Sequence, residues 1–237
     1  MKVLKFFVFL TVLVVIVGVG GVAAFIAFAD PNDFKEEIAV RVFEKTGRAL
    51  TLDGELEWAF WPKIKIKAGP LTLSNAPGFG DEPFFAADEI QIAVATLPLL
   101  KKQIEMDTVK LYGARVNLAK DAEGVTNWAD LAGGEEEQRT SGEIATIALG
   151  GVDIQNAAIS WRDATAEQNV AISKFNVSTG ALTFGDPIAF EMSLQAVADQ
   201  PALDSDVALR GTVSYDLGDE KVHVEPLGLD IVMRGKS

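Results

Sequence analysis

Lys63-Ile64-Lys65-Ile66-Lys67 alternates a charged and a β-branched residue at every step. Only an extended chain, whose side chains point to opposite faces in turn, puts the isoleucines on one side and the lysines on the other. The same two-residue period returns in Leu50-Thr51-Leu52, in Leu71-Thr72-Leu73 and at Ile90, Ile92 and Val94. Further strands are predicted over residues 104–111, 114–118, 152–154, 158–161, 170–177, 188–197, 206–215 and 222–231. Gly, Asp and Pro punctuate them at the spacing of an antiparallel meander. Asp53-Gly54, lying between two such stretches, carries the turn chemistry of a β-hairpin. A short helical piece is predicted over residues 97–102. The chain reads as mainly β.

Residues 6–29 form a run of 24 without a charge, and Lys2 and Lys5 precede it. At about 1.5 Å per residue such a helix covers roughly 36 Å, enough for a hydrocarbon layer of about 30 Å. The lysines favour the cytoplasmic side, so residues 1–29 read as a transmembrane signal-anchor with the remainder outside the inner membrane. Cleavage after Ala27-Phe28-Ala29 is the competing reading, although a signal peptide's apolar core spans only about 7 to 15 residues. Gly18-Val19-Gly20-Gly21-Val22-Ala23 fits a dinucleotide-binding pattern, but it lies inside the apolar run with no strand before it, and the match is false. Asp30-Pro31-Asn32-Asp33 then carries helix-start chemistry. Phe34, Ile38 and Val42 recur at spacing four and Gly47 supplies a stop, which predicts a juxtamembrane amphipathic helix over residues 30–47.

The net charge is −13 and every acidic residue lies beyond the anchor, which argues against nucleic acid as a partner. There is no cysteine, so disulfides and thiolate metal sites are excluded. His223 is the one histidine, on an alternating strand beside Lys221 and Glu225, and no G-x-S-x-G elbow accompanies it. Carboxylates are plentiful, yet nothing singles out a catalytic pair. We expect no enzyme activity, no cofactor and no metal.

Residues 109–118 and 152–161 align without a gap at an offset of 43. Apolar positions match apolar positions, Gly113-Ala114 and Asn156-Ala157 read as a tight turn in each copy, and Asp121 and Asp163 follow. Stacked copies of one unit would give this pattern, and so would convergent hairpin chemistry. Residues 133–143 contain no apolar side chain and read as an acidic flexible linker. It separates a first β-unit over 48–132 from a second over 144–237.

Several blocks occur in a recognisable order: Phe60-Trp61-Pro62, Leu73-Ser74-Asn75-Ala76-Pro77-Gly78-Phe79, Leu97-Pro98-Leu99-Leu100, the block 109–118, and Gly124-Val125-Thr126-Asn127-Trp128. In these, and in the anchor with Thr46-Gly47-Arg48, the chain resembles the AsmA family of bacterial envelope proteins. Residues 151–162 look like the family's next block. The resemblance implies inner-membrane anchoring, a periplasmic location and an elongated, curled antiparallel repeat β-sheet. It also implies an apolar groove that carries phospholipid toward the outer membrane, a link to outer-membrane assembly, and no catalytic residues. Members of the family are usually much longer.

On that reading Ile64, Ile66, Ile90, Ile92, Val94, Val116 and Leu118 are candidates for lining the groove. An ordinary sandwich core would use the same residues. Lys63, Lys65 and Lys67 are candidates for phosphate head groups on the outer rim, or lysines that protect an edge strand from aggregation. Trp58, Phe60 and Trp61 suit either the membrane interface or the core. About a dozen strands, at about 4.8 Å each, predict a groove roughly 60 Å long. Expected partners are membrane phospholipid, the inner membrane and other envelope proteins. The alternatives are a non-lipid scaffold or assembly factor with a closed core, and an exported hydrolase with two convergent carboxylates.

Overall fold

The structure, a computed structural model, describes residues 30–59, 63–95, 105–132, 148–183, 186–216 and 221–234. The anchor over 1–29, the helical piece over 97–102 and the linker over 133–143 lie outside the described residues, as do Phe60, Trp61 and Pro62. Among the described residues no helix is long and apolar enough to cross a membrane. The helix predicted over residues 30–47 is present as a 3-10 turn, Pro31–Phe34, followed by α1, Lys35–Thr46. Asp30 caps the turn by accepting from the Asn32 N–H at 2.8 Å. Gly47, in the left-handed region at φ 69°, ends α1, its N–H donating to the Phe43 carbonyl.

One open sheet holds all the strands described. Its first passes are broken in two: β1 (Leu50–Leu52) with β2 (Leu56–Ala59), then β3 (Lys63–Ala68) with β4 (Leu71–Leu73), then β5 (Phe85–Ala87) with β6 (Glu89–Ala95). After the two-residue β7 (Glu105–Met106) comes a fourth broken pass, β8 (Val109–Tyr112) with β9 (Arg115–Lys120). Beyond the short helix α2 (Ala129–Ala132) and the two-residue β10 (Ala148–Leu149), four long strands follow: β11 (Val152–Asp163), β12 (Gln168–Thr179), β13 (Ile188–Ala198) and β14 (Leu203–Asp216). A last broken pass, β15 (Lys221–Val224) with β16 (Gly228–Met233), closes the series. Among the described residues this makes nine passes, each beside the next in chain order and antiparallel to it, with one exception. β8 and β9 pair with β11 in parallel, and the long connection over 121–151 gives the chain room to return. At about 4.8 Å per strand the sheet is about 40 Å across, in place of the roughly 60 Å expected from a dozen strands.

The breaks fall on one line. The Asp53-Gly54 hairpin does not form: β1 pairs with β4, and β2 with β3. Gly54 is instead the point where two bent passes cross. Its N–H donates to Pro70 O and the Gly69 N–H donates to Glu55 O. A Cβ on Gly54 would sit 2.4 Å from Gly69 Cα, so a glycine is needed for close approach rather than for a turn. The crease continues through Asp88, between β5 and β6, then Gly113 (φ 58°), Asn156 (φ 53°) and Lys174 (φ 51°). The tight turns predicted at 113–114 and 156–157 are therefore kinks in strands that carry on. Residues 152–154 and 158–161 belong to one strand, β11, with a register shift between them. The strand predicted over 222–231 is broken instead, at Pro226, which has no N–H for the ladder.

Except at Gly54, where Leu50, Leu52 and Leu56 keep one parity, these irregularities reverse the in-out alternation, and the sequence reverses with them. Apolar residues occupy odd positions at Val109 and Leu111, then even ones at Val116 and Leu118. In β11 they are even at Val152 and Ile154, then odd at Ala157, Ile159 and Trp161. The extra residue keeps both halves of a pass apolar on the same face, which is what a β-bulge does to a strand's facing.

A buried polar node holds the outer end of β9. Asn127, fully buried, takes the place of a neighbouring strand. Its Oδ1 accepts from the Ala119 N–H at 2.9 Å, and its Nδ2 donates to Asn117 O at 2.7 Å and to Asn75 Oδ1 at 2.8 Å. Arg48, equally buried, donates to Asn127 O at 2.6 Å and forks onto Asp130 at 2.5 and 3.1 Å, with its guanidinium over the Phe84 ring. The chain leaving α1 is thereby tied to α2.

Candidate functional site

Cross-strand registers sort the side chains into two faces. One row takes a residue from each of the nine passes: Leu56, Ala68, Ile90, Leu111, Ile154, Val177, Met192, Leu209 and Leu229. All are apolar. Across the crease a second row runs Leu50, Leu73, Phe85, Val116, Ile159, Ile172, Ala196, Ser205 and Met233, with Ser205 its one polar member. One step along from the first row, on the opposite face, lie Glu57, Lys67, Gln91, Lys110, Asp153, Ser178, Glu191, Arg210 and Gly228. The sheet has one hydrocarbon face and one polar face along its whole width.

The hydrocarbon face is not filled in as a core. Of the large side chains in the two rows only Leu56 is buried, and most are half-buried. Exposure rises toward the last pass, where Leu229 is 54% and Met233 73% exposed. α1 packs along β1 and has no buried residue, so it does not form a second layer. Aromatic pairs mark two margins: Phe34 on Trp58, with centroids 6.1 Å apart, and Trp128 on Trp161 at 5.6 Å.

The predicted lining residues all lie on the apolar face. Ile64 pairs with Val94 and Ile66 with Ile92, while Ile90 stands beside Leu111, so five of them form one cluster. Val116 and Leu118 lie beyond the crease beside Ile159 and Trp161. Leu111, Ile154, Val177, Met192 and Leu209, the middle of the long row, were not singled out from sequence. The 43-residue offset was the available signal, because it sets Leu111 against Ile154.

Lys63, Lys65 and Lys67 point to the polar face, away from the hydrocarbon, and β3 is an inner strand flanked by β2 and β6. Lys63 pairs with Asp107 at 2.5 Å, and Lys67 lies between Glu89 at 3.1 Å and Glu57 at 3.5 Å. The hydrogen bond to Glu89, aided by Glu57, raises the Lys67 pKa, and Lys63 lowers that of Asp107. A depression of about 320 Å³ lies over Ala59 and Ala93, walled by Lys63, Lys65, Lys110 and Asp107. Another, of about 440 Å³, lies on the same face around Asp153, Glu191, Arg210 and Asp230. His223 is exposed opposite Ser214. Among the described residues no cluster of His, Asp or Glu could hold a metal ion.

A sequence model of the AsmA family matches residues 1–204. Protein AsmA of Escherichia coli (strain K12) is 36% identical over 103 residues, which cover 44% of this chain and 16% of that protein. The matched segment is thus a small part of the relative's length. No solved structure matches.

Proposed function

The chain belongs to the AsmA family, and from that premise we propose that it shelters phospholipid acyl chains on its apolar sheet face, without catalysis, as an inner-membrane-anchored periplasmic module. Membership suggests a role in envelope assembly or lipid handling and an envelope or membrane association. Lipid movement toward the outer membrane is the finer reading, with the N-terminus cytoplasmic and residues 1–29 as the anchor.

The observation that carries this reading is the nine-membered apolar row, continuous over about 40 Å and, among the described residues, left without a covering layer. Water over such a face is unfavourable, and an acyl chain laid along it removes that water. At about 0.8 kcal/mol per sheltered methylene, a partly covered chain offsets much of the cost of leaving a bilayer. An enclosed pocket would hold one ligand; an open face continued from strand to strand suits a chain that slides.

The test is lipid carried through purification. The full chain, exchanged into a lipid-free detergent and examined by native mass spectrometry, is expected to retain phospholipid. Ile92→Asp and Met192→Asp should lose it, while Gln91→Asp on the polar face should keep it. Equal retention in all three would contradict the reading.

A scaffold reading also has one observation in its favour. Asn32 covers the outer edge of β2, donating to Leu56 O at 3.2 Å and accepting from the Leu56 N–H at 2.9 Å. The outer edge of β15 and β16 has no partner strand among the described residues. An unpaired edge can recruit a strand of another protein. Lipid-free protein whose pull-downs depend on Val232 would favour that role.

A further inference from the structure

The polar face is charge-balanced around β3 except in one place. Glu57 and Glu89 are engaged by Lys67, and Glu89 also accepts from Gln91. Asp107 is engaged by Lys63. Asp153, opposite Lys110 in the register, accepts from Gln155 Nε2 at 3.1 and 3.2 Å. Lys65 and Lys110 act on Glu89 and Asp107 only at longer range, with no carboxylate within 4 Å of either among the described residues, and both border the depression over Ala59 and Ala93. Register explains the hollow: Lys65 stands between Ala59 and Ala93, two methyl side chains that leave its flanks open.

We propose that this depression is a binding site for a phosphate group, held by the ammonium groups of Lys65 and Lys110 with Lys63 at its margin. Three lysines against one engaged carboxylate reverse, locally, the sign of a chain whose net charge is −13. An anion entering there gains charge-assisted hydrogen bonds without displacing an existing carboxylate. The hydrocarbon face lies on the other side of the same sheet, so a lipid whose tails occupy that face cannot also place its head group here.

Position favours a bilayer surface as the source of the phosphate. Asn32, three residues beyond the apolar run, is bonded to Leu56, and Leu56 lies roughly 10 Å along β2 from Ala59. If residues 1–29 span the membrane, the depression lies close to its head-group layer. This part rests on the anchoring reading; the affinity for phosphate does not.

The test is amine acetylation of the full chain, read lysine by lysine by mass spectrometry. In phosphatidylglycerol nanodiscs Lys65 and Lys110 should be acetylated about fivefold or more slowly than in neutral detergent, with Lys174 unchanged. Lys65→Gln should abolish the protection of Lys110. Protection by inorganic phosphate in detergent as well would make free phosphate a second source; protection in nanodiscs alone would assign the site to lipid head groups. Failure of the chain to enter nanodiscs would count against the anchor, and the phosphate titration in detergent would then decide the site. Unprotected Lys65 and Lys110 in every arm overturn the proposal.

Discussion

Ser160 donates its hydroxyl hydrogen to Asn117 Oδ1 at 2.7 Å, across two parallel strands and 43 residues of sequence. The separation is the repeat offset itself. Every pair in the β8–β11 and β9–β11 ladders obeys it, from Val109 with Val152 to Lys120 with Asp163. Gly113 and Asn156, also one offset apart, share the left-handed kink. The two copies are thus laid side by side in register, so the apolar face of one continues directly into the other.

Asn117 also donates to Pro83 O at 2.7 Å, so its side chain joins three segments. Asn117→Ala is expected to cost about 1–2 kcal/mol in urea unfolding, and Ser160→Ala about 1 kcal/mol or less. The double variant should cost less than the sum, since both changes remove one shared bond.

Asn127→Ala would leave the Ala119 N–H and Asn117 O without the partner that a fully buried side chain gives them, and would take from Asn75 Oδ1 one of its two donors. A loss of about 3 kcal/mol or more is expected by the same measurement. Arg48→Lys should not restore the wild-type value after Arg48→Ala, because an ammonium cannot reproduce the fork onto Asp130.

At the crease, Asn156→Gly should be near neutral, whereas Asn156→Val should cost about 1–2 kcal/mol at a φ of 53°. Gly54→Ala should be more damaging than either, because its Cβ would meet the Gly69 backbone. Thermal unfolding by circular dichroism orders the three.

Asp163 has its pKa lowered from 3.8 to about 2, chiefly by the Thr165 hydroxyl, with backbone N–H groups and Lys120 assisting. Asp130 and Asp107 shift the same way, through Arg48 and Lys63. A depressed carboxyl contributes stability above its unfolded pKa and loses it as pH falls through the folded one. Tm should therefore be level down to about pH 5 and then fall from about pH 4 toward pH 2. Asp163→Asn should flatten part of that fall.

Alternation in 63–67 and 90–94 made the strands and their apolar sides legible, and the offset of 43 contained the parallel ladder. The crease was not legible. A left-handed Asn and a close-approach Gly look the same in sequence whether the chain reverses or bends and continues. What separates the outcomes is the neighbour, and Gly54 meets Gly69 only after the sheet forms. Lys110 escaped notice because its strand was read for its apolar residues. The edge-covering role of Asn127 is set by the unpaired groups at Asn117 and Ala119, which no local pattern announces.

Site-specific photo-crosslinking in cells reads whether lipid lies against one face of the sheet. A photoreactive residue placed in turn at Val177, Ser178, Glu191, Met192, Leu209 and Arg210 samples both faces of three passes. One-sided lipid contact predicts phospholipid adducts at Val177, Met192 and Leu209 and none at their three polar neighbours. Adducts to protein alone at the apolar positions, or lipid adducts equal on both faces, would contradict it.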